Sequence, residues 1–252
     1  MPEADADVEA DPEAITVDTL LRGRVTLLQP ARGFRSSLDP VLLAAFVQPP
    51  FGRFVDIGCA TGALAFLLAA RDPAATGVGI EIQPRLRALA ARGLQRNDFA
   101  SRLEIMEGDV RASVGRGALA RFNFDLVATN PPFRILDGGV VSPQRERAQA
   151  HHEVSLKLDE WLDVAATLVK PEGRVAVIFA APRLAELLTG LAARGLAPGR
   201  LRMVHPTLDR PASRVLVEAY RGSQRALQVE PPLSLRGPAG HSDEVRGMLG
   251  EA

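Results

Sequence analysis

The chain has 252 residues, of which 46% are hydrophobic and 24% charged, enough for one broad α/β domain or two small ones. Mean hydropathy is +0.04, no apolar run approaches the ~18–20 residues of a bilayer-spanning helix, and the amino terminus lacks a secretory pattern. The single cysteine, Cys59, excludes an internal disulfide or a multi-cysteine metal site; a cytoplasmic setting with no membrane association is expected. Thirty bases balance thirty acids, but seven acids and no base fall in the first 18 residues, so the rest of the chain carries +7 and neutrality does not exclude a polyanionic partner.

Residues 1–16 are acidic and Ala/Pro-rich, and too poor in large apolar side chains to offset their ordering entropy, so a disordered leader is expected. Residues 17–252 read as a single domain: an N-terminal extension over 17–50, a core over 51–222, and a C-terminal strand and helix over 223–252. Residues 21–29 look like a strand pair or arm and 39–47 like a helix. Apolar β-type runs at 53–58, 77–82, 103–107, 124–129 and 174–179 then alternate with helical patterns at 62–71, 84–95, 158–169 and 182–194. Near-continuous apolar strands separated by helices predict a mostly parallel sheet covered on both faces. The runs at 201–205 and 213–220 have no helix between them and predict an antiparallel hairpin at the sheet's end, and Ser242 caps a short terminal helix.

The chemistry gathers where strands end. After the first core strand, Asp56 precedes Gly58, Cys59, Ala60, Thr61 and Gly62, with glycines where a ligand could approach the backbone and a helix N-terminus behind them. The spacing is not the Gly-x-Gly-x-x-Gly of dinucleotide enzymes, nor is there a Gly-Lys-Ser/Thr phosphate loop; a tight strand–helix turn also needs such glycines. Glu81 ends the next strand, placed to accept both ribose hydroxyls, with Ile82 beside it. Asp109 follows the third strand and can accept from an adenine amino group, with Val110 and Ile82 against the ring faces. The same three acids also suit ordinary helix N-caps.

Asn130-Pro131-Pro132-Phe133 ends the fourth strand. The prolines fix the backbone, so the Asn130 amide oxygen and the Pro131 carbonyl form two adjacent acceptors for the two hydrogens of a planar amino group. Holding both draws the nitrogen towards tetrahedral geometry and frees its lone pair, while Phe133 can stack on the attached ring. Arg134, Arg145, Arg147, His151 and His152 follow in a loop; adjacent histidines without further ligands do not make a metal site, and none is expected.

Together these motifs resemble the class I S-adenosylmethionine-dependent methyltransferases, a Rossmann-like α/β fold with a seven-stranded, mostly parallel sheet. The Asn-Pro-Pro-Phe form is similar to those that methylate amino nitrogens. The run from Asp18 through Arg22, Arg24, Gln29-Pro30 and Gly33-Phe34-Arg35-Ser36-Ser37-Leu38-Asp39-Pro40 resembles the bacterial tRNA adenine-N6 methyltransferases acting beside the anticodon of a valine tRNA. The resemblance extends to 168–173 and 214–219, and departs from the family at Ala60, in place of a middle glycine, and at His241, in place of an aromatic residue.

The resemblance implies S-adenosylmethionine as cofactor and tRNA as substrate. It places Asp56, Gly58, Cys59, Ala60 and Gly62 around the methionine part, Glu81 at the ribose, and Asp109 and Val110 at the adenine, with Ile82 also against the cofactor. Phe34, Ser37 and Asp39 close over the methionine end, and Asn130, which also borders the cofactor, carries catalysis with Pro131, Pro132 and Phe133. Arg22, Arg24, Arg134, Arg145, Arg147 and His151 are the expected RNA contacts, and a second arginine run over 194–225 reads equally as a solvated face or an RNA track. Methylation of a ribosomal RNA base or a protein glutamine, a nicotinamide oxidoreductase and a non-catalytic RNA-binding module remain alternatives; monomer and homodimer are both open.

Overall fold

A computed structural model describes residues 14–113, 119, 124–131, 157–223 and 225–251. The chain opens with a hairpin of β1 (Ile15–Leu20) and β2 (Val25–Pro30), paired antiparallel from Ile15↔Pro30 to Leu20↔Val25. Its turn is left-handed at Leu21 (φ +51°), Arg22 (φ +54°) and Gly23 (φ +84°). Val25, Leu27 and Leu28 of β2 are buried. The hairpin begins at Ile15, two residues inside the segment expected as leader, because Ile15 and Val17 continue the alternating pattern; residues 1–13 lie outside the described set.

The strand–helix alternation follows as β3 (Arg53–Ile57), α2 (Ala63–Arg71), β4 (Thr76–Glu81), α3 (Pro84–Arg96), β5 (Leu103–Glu107), α4 (Val110–Ser113), β6 (Phe124–Thr129), α5 (Leu158–Leu168) and β7 (Val169–Ala180), after α1 (Asp39–Phe46). A 3-10 turn, Ala181–Arg183, precedes α6 (Leu184–Ala192), then β8 (Leu196–His205) and β9 (Arg214–Arg221). The sheet runs β5-β4-β3-β6-β7-β9-β8. The first five strands are parallel, and β9 lies antiparallel between β7 and β8, as the missing helix between the last two strands predicts.

Side chains alternate across the sheet. Phe54, Leu126, Ala128, Ile178 and Leu216 face the layer of α1 and α2, with Leu42, Leu43, Phe66 and Phe99. Val55, Ile57, Val127, Val175, Val177 and Val217 face α5 and α6, around Trp161, Leu162 and Leu187. Both faces are covered, which is why the central strands read as unbroken apolar runs.

Three boundaries differ from those expected. β7 begins at Val169 rather than 174, with a register shift against β6 near Phe124 and Glu172 at φ +63°, so the Lys-Pro-Glu-Gly stretch is an irregular strand start. β8 begins at Leu196 because Gly195, at φ +69°, turns the chain directly from α6 into the sheet. Beyond β9, β10 (Gln228–Val229) and β11 (Leu233–Ser234) each add parallel to β8. β12 (Arg236–Gly237) and β13 (Gly240–His241) form a small hairpin before α7 (Asp243–Met248). Two-residue strands carry no readable periodicity. Ser242 caps α7, its Oγ accepting from Val245 N–H at 3.3 Å.

Among the described residues, no helix is long and apolar enough to cross a membrane, and no cluster of His, Cys, Asp and Glu is arranged to hold a metal.

Candidate active site

The parallel strands bring their carboxyl ends to one edge, where loops after β3, β4, β5 and β6 converge. β3 lies at the centre, and its turn into α2 is strained: Gly58 has φ +70°, Ala60 +49° and Gly62 +89°. The loop is pinned from the neighbouring strand, as Gly58 and Cys59 N–H both donate to Ile80 O, at 2.9 and 3.0 Å. At Gly62 a Cβ would lie 2.7 Å from the Phe66 ring, so this glycine lets α2 pack beneath the loop. At Gly58 a Cβ would meet nothing within 4 Å, which leaves open space above the backbone.

Ala60 occupies the left-handed region where a Cβ costs about 1–2 kcal/mol. Ala60→Gly relieves that strain against the greater entropy of glycine in the unfolded chain, so a stabilisation of about 1 kcal/mol and a Tm rise of about 2–4 °C are expected. Calorimetry checks this; an unchanged or lowered Tm contradicts the strain.

Glu81 does more at this edge than its place in the sequence reveals. It is buried, and its Oε2 accepts from Ala60 N–H and its Oε1 from Gln83 N–H, both at 2.8 Å. The carboxylate thus shapes the glycine loop. Glu81→Gln turns one acceptor into a donor facing an N–H, so cofactor affinity is expected to fall at least ~10-fold, about 1.4 kcal/mol; titration calorimetry with the demethylated cofactor measures it, and unchanged affinity removes Glu81 from the cofactor set.

Asp56 is also buried and accepts from Ala65 N–H at 3.2 Å, which ties β3 to the first turn of α2. Burial pushes its carboxyl up to about 7; the Ala65 hydrogen bond opposes this and the Glu81 charge adds to it. Burial, with Asp56 and Glu81 nearby, pushes the Cys59 thiol well above its ordinary range, so it stays protonated and is no nucleophile. Cys59 packs over Gly79, where a Cβ would come within 2.8 Å of its Sγ.

Asp109 follows β5 as expected, and its carboxylate is shared with Arg111. Arg111 grips its carboxylate with Nη2–Oδ2 at 2.7 Å and Nε–Oδ1 at 2.9 Å, and also donates its backbone N–H to Oδ1 at 2.9 Å. That fork holds the Asp109 carboxyl below its usual range. Arg111 also reaches Glu160 at 3.3 Å, whose other oxygen accepts from Lys157 N–H at the start of α5. Val110 is buried in the cluster around Trp161 and Leu162, whereas Ile82 is 36% exposed at the edge.

Asn130 stands beside the glycine loop. Thr129 is in register with Ile57, and its Oγ1 donates to Ile57 O at 2.9 Å, so the next residues on the two strands, Asn130 and Gly58, leave the sheet together. Asn130 is half-buried and Pro131 buried. Pro132, Phe133, Arg134, Arg145, Arg147, His151 and His152 lie outside the described residues.

The segment before α1 is anchored at both ends. Arg35 pairs with Asp18 at 2.6 Å, Ser36 N–H donates to Gln29 Oε1 at 2.6 Å, and Asp39 pairs with Arg214 at the start of β9 at 3.3 Å. Ser37 Oγ accepts from Asp39 N–H at 3.2 Å, and Phe34 is 44% exposed. This brings Asp39, held by Arg214, and Ser37 beside it to the strand ends.

Arg22 and Arg24 are not brought there. Thr26 of their hairpin is bound to Asn97, N–H to Oδ1 at 2.7 Å and carbonyl to Nδ2 at 2.8 Å. Asn97 follows α3, whose 13 residues lead ~20 Å away from the edge at 1.5 Å per residue. The arginine run over 194–225 is likewise dispersed. Arg194 pairs with Asp159 and Asp163, Arg200 with Glu218 and Glu230, Arg202 with Glu244, and Arg214 with Asp39. Most of these acids are distant in sequence, so a local charge count missed them.

The residues present fit a nucleoside-bearing cofactor. Space stands open over Gly58, the Thr61 hydroxyl is buried with no hydrogen-bond partner among the described residues, and a buried carboxylate and an exposed isoleucine side chain line the next strand end.

Comparison with known proteins agrees. A family model for the methyltransferase small domain matches residues 38–153. The tRNA1(Val) (adenine(37)-N6)-methyltransferase of Porphyromonas gingivalis is 32% identical over 213 residues, covering 82% of each chain. That of Dickeya chrysanthemi is 32% identical over 189 residues, 74% of this chain and 72% of its own. Among solved structures, a "predicted O-methyltransferase" of Agrobacterium tumefaciens superposes with TM-score 0.67 at 25% identity, over 85% of this chain and 97% of that one. TrmN from Thermus thermophilus shares the fold at TM-score 0.51 and 21% identity, over 74% of this chain and 50% of that one. With this fold, this strand-end chemistry and this likeness along its length, the chain belongs to the S-adenosylmethionine-dependent tRNA1(Val) (adenine(37)-N6)-methyltransferase family.

Proposed function

We propose that the protein methylates N6 of adenine 37, next to the anticodon, in a valine tRNA, as the names of its relatives state for them. The observation that carries this reading is Asn130-Pro131 leaving β6 directly beside the Gly58 loop. S-adenosylmethionine supplies the methyl group, already activated on a sulfonium. Asp56 and the backbone of residues 58–62 hold its methionine part, Glu81 its ribose, and Asp109, fixed by Arg111, its adenine amino group.

Asn130 Oδ1 and Pro131 O accept the two hydrogens of the target amino group, so the nitrogen lone pair turns from the ring towards the methyl carbon. The bound cofactor would supply the methyl group, the N–C bond forming as its S–C bond breaks to leave the neutral thioether, and the extra proton on N6 would pass to solvent. No covalent bond to the enzyme is needed; in-line positioning alone can account for ~7–11 kcal/mol. The adenine must leave its stack first, at a cost of a few kcal/mol. A tRNA substrate supports a cytoplasmic setting.

The test is transfer of labelled methyl to purified tRNA, ribosomal RNA and protein pools, followed by mapping of the modified base. Label as N6-methyladenosine at the anticodon-adjacent position of a valine tRNA supports the reading. Label in ribosomal RNA or on glutamine overturns the substrate while keeping the chemistry.

A further inference from the structure

β9 runs antiparallel to β7, with Arg214 opposite Ala180. The loop from β8 to β9 therefore emerges at the same edge as Asn130, three strand spacings away, or ~14 Å at 4.7–4.9 Å each. The β12–β13 hairpin is fastened to this loop: Leu235 N–H donates to His205 O at 2.8 Å and Arg236 N–H to Pro206 O at 3.1 Å. His205 Nδ1 lies 2.8 Å from Arg210 O and holds the loop in shape. Residues 206–213 and 236–241 thus form one surface at the catalytic edge.

Its charges are unlike those around it. Eleven arginines lie between Arg174 and the end of the chain, and seven of them are ion-paired. Arg210, Arg221, Arg225 and Arg236 have no ion pair among the described residues. Arg221 and Arg225 lie at the far end of β9, which leaves Arg210 and Arg236, both exposed, on the catalytic edge with His205 and His241. Nearby acids are largely neutralised: Asp39 by Arg214 and Glu244 by Arg202, with Asp209 the exposed exception. An exposed guanidinium with no carboxylate of its own keeps its fork available for the two oxygens of a phosphate.

We propose that Arg210 and Arg236 bind backbone phosphates of the RNA flanking the target adenine, so that the β8–β9 loop and the β12–β13 hairpin form a substrate-docking face. This rests on the reading of the substrate as tRNA.

The test compares Arg210→Gln/Arg236→Gln with Arg22→Gln/Arg24→Gln in the β1–β2 turn, which lies against Gly250 rather than at the β8–β9 loop, measuring tRNA affinity against salt and, separately, affinity for the demethylated cofactor. The first pair is expected to lower tRNA affinity about tenfold and to reduce the slope of log K against log salt by about 0.7–0.9 per arginine. Its cofactor affinity and Tm should match the wild type, and the second pair should leave the tRNA slope unchanged. An unchanged slope in the first pair, or an equal loss in both, overturns the docking face. A wild-type protein that binds no tRNA instead overturns the substrate reading, and that is seen before any variant is made.

Discussion

Asn130→Ala is expected to lower kcat by about 100- to 1000-fold, the usual effect of removing one preorganised hydrogen-bonding group at a reacting centre, while affinity for the demethylated cofactor stays near wild type. An exocyclic amino group is a poor nucleophile because its lone pair is delocalised into the ring. Two acceptors that hold both hydrogens off the ring plane undo that delocalisation, and they do so more strongly in the transition state than in the bound substrate, so the loss falls on kcat. The Asn130 side chain supplies one acceptor and the Pro131 carbonyl the other. The register Thr129↔Ile57 fixes their place against the cofactor loop.

Asn130→Asp keeps an acceptor oxygen and is expected to retain more activity than Asn130→Ala. Single-turnover kinetics with calorimetry separates the outcomes. A loss confined to cofactor affinity would make Asn130 a cofactor residue only, and near-normal turnover by Asn130→Ala would remove the central claim.

The strand ends were readable because their information is local. Asp56 through Gly62, Glu81 and Asn130-Pro131 each lie within a few residues of a strand whose apolar run is unmistakable, and parallel strands carry such ends to one edge. What stayed hidden depends on distant partners or on backbone angle. Glu81 clamps Ala60 N–H across 21 residues, which no spacing rule announces. Ala60 looks like a mild replacement for glycine until its φ of +49° is known. The arginine run over 194–225 looked continuous because its acids come from α5, the residue after β10, and α7, 30 to 42 residues away. Once paired, most of the charge in that run is structural rather than free to face a substrate.

Glu218→Ala is expected to destabilise the fold by about 3–5 kcal/mol, the usual cost of removing one partner from a buried ion pair. For a chain of this size that is a Tm fall of about 10 °C or more. Glu218 is fully buried in β9. Its Oε2 accepts from Arg200 Nη1 at 2.8 Å and from the Tyr220 hydroxyl at 2.9 Å. Its Oε1 lies 3.2 Å from Arg174 Nη1, an ion contact without hydrogen-bond alignment.

Both guanidiniums are held in place by the backbone before α1 meets β3. Arg174 donates to Gln48 O and Pro50 O, and Arg200 donates to Phe46 O with its charge 4.2 Å from the Phe46 ring centroid. Neither can swing into water without breaking those bonds. Removal of the carboxylate leaves Arg200 with Glu230 alone, and leaves Arg174 with no acid among the described residues.

Glu218 pairs with Ala176, in register with Ala128, but lies two strands away from β6, and its arginines are bonded to the backbone at Phe46, Gln48 and Pro50, ahead of β3 and away from the strand ends that carry the site. The kcat of the folded fraction should therefore be unchanged below the lowered Tm. Replacing all three groups, as Glu218→Leu with Arg174→Met and Arg200→Met, removes the unpaired charge together with its partner and should recover much of the loss. Thermal unfolding of the single and triple variants decides the matter: a single variant within about 2 °C of wild type, less than the shift of one kcal/mol, would mean that the buried arginines do not depend on Glu218.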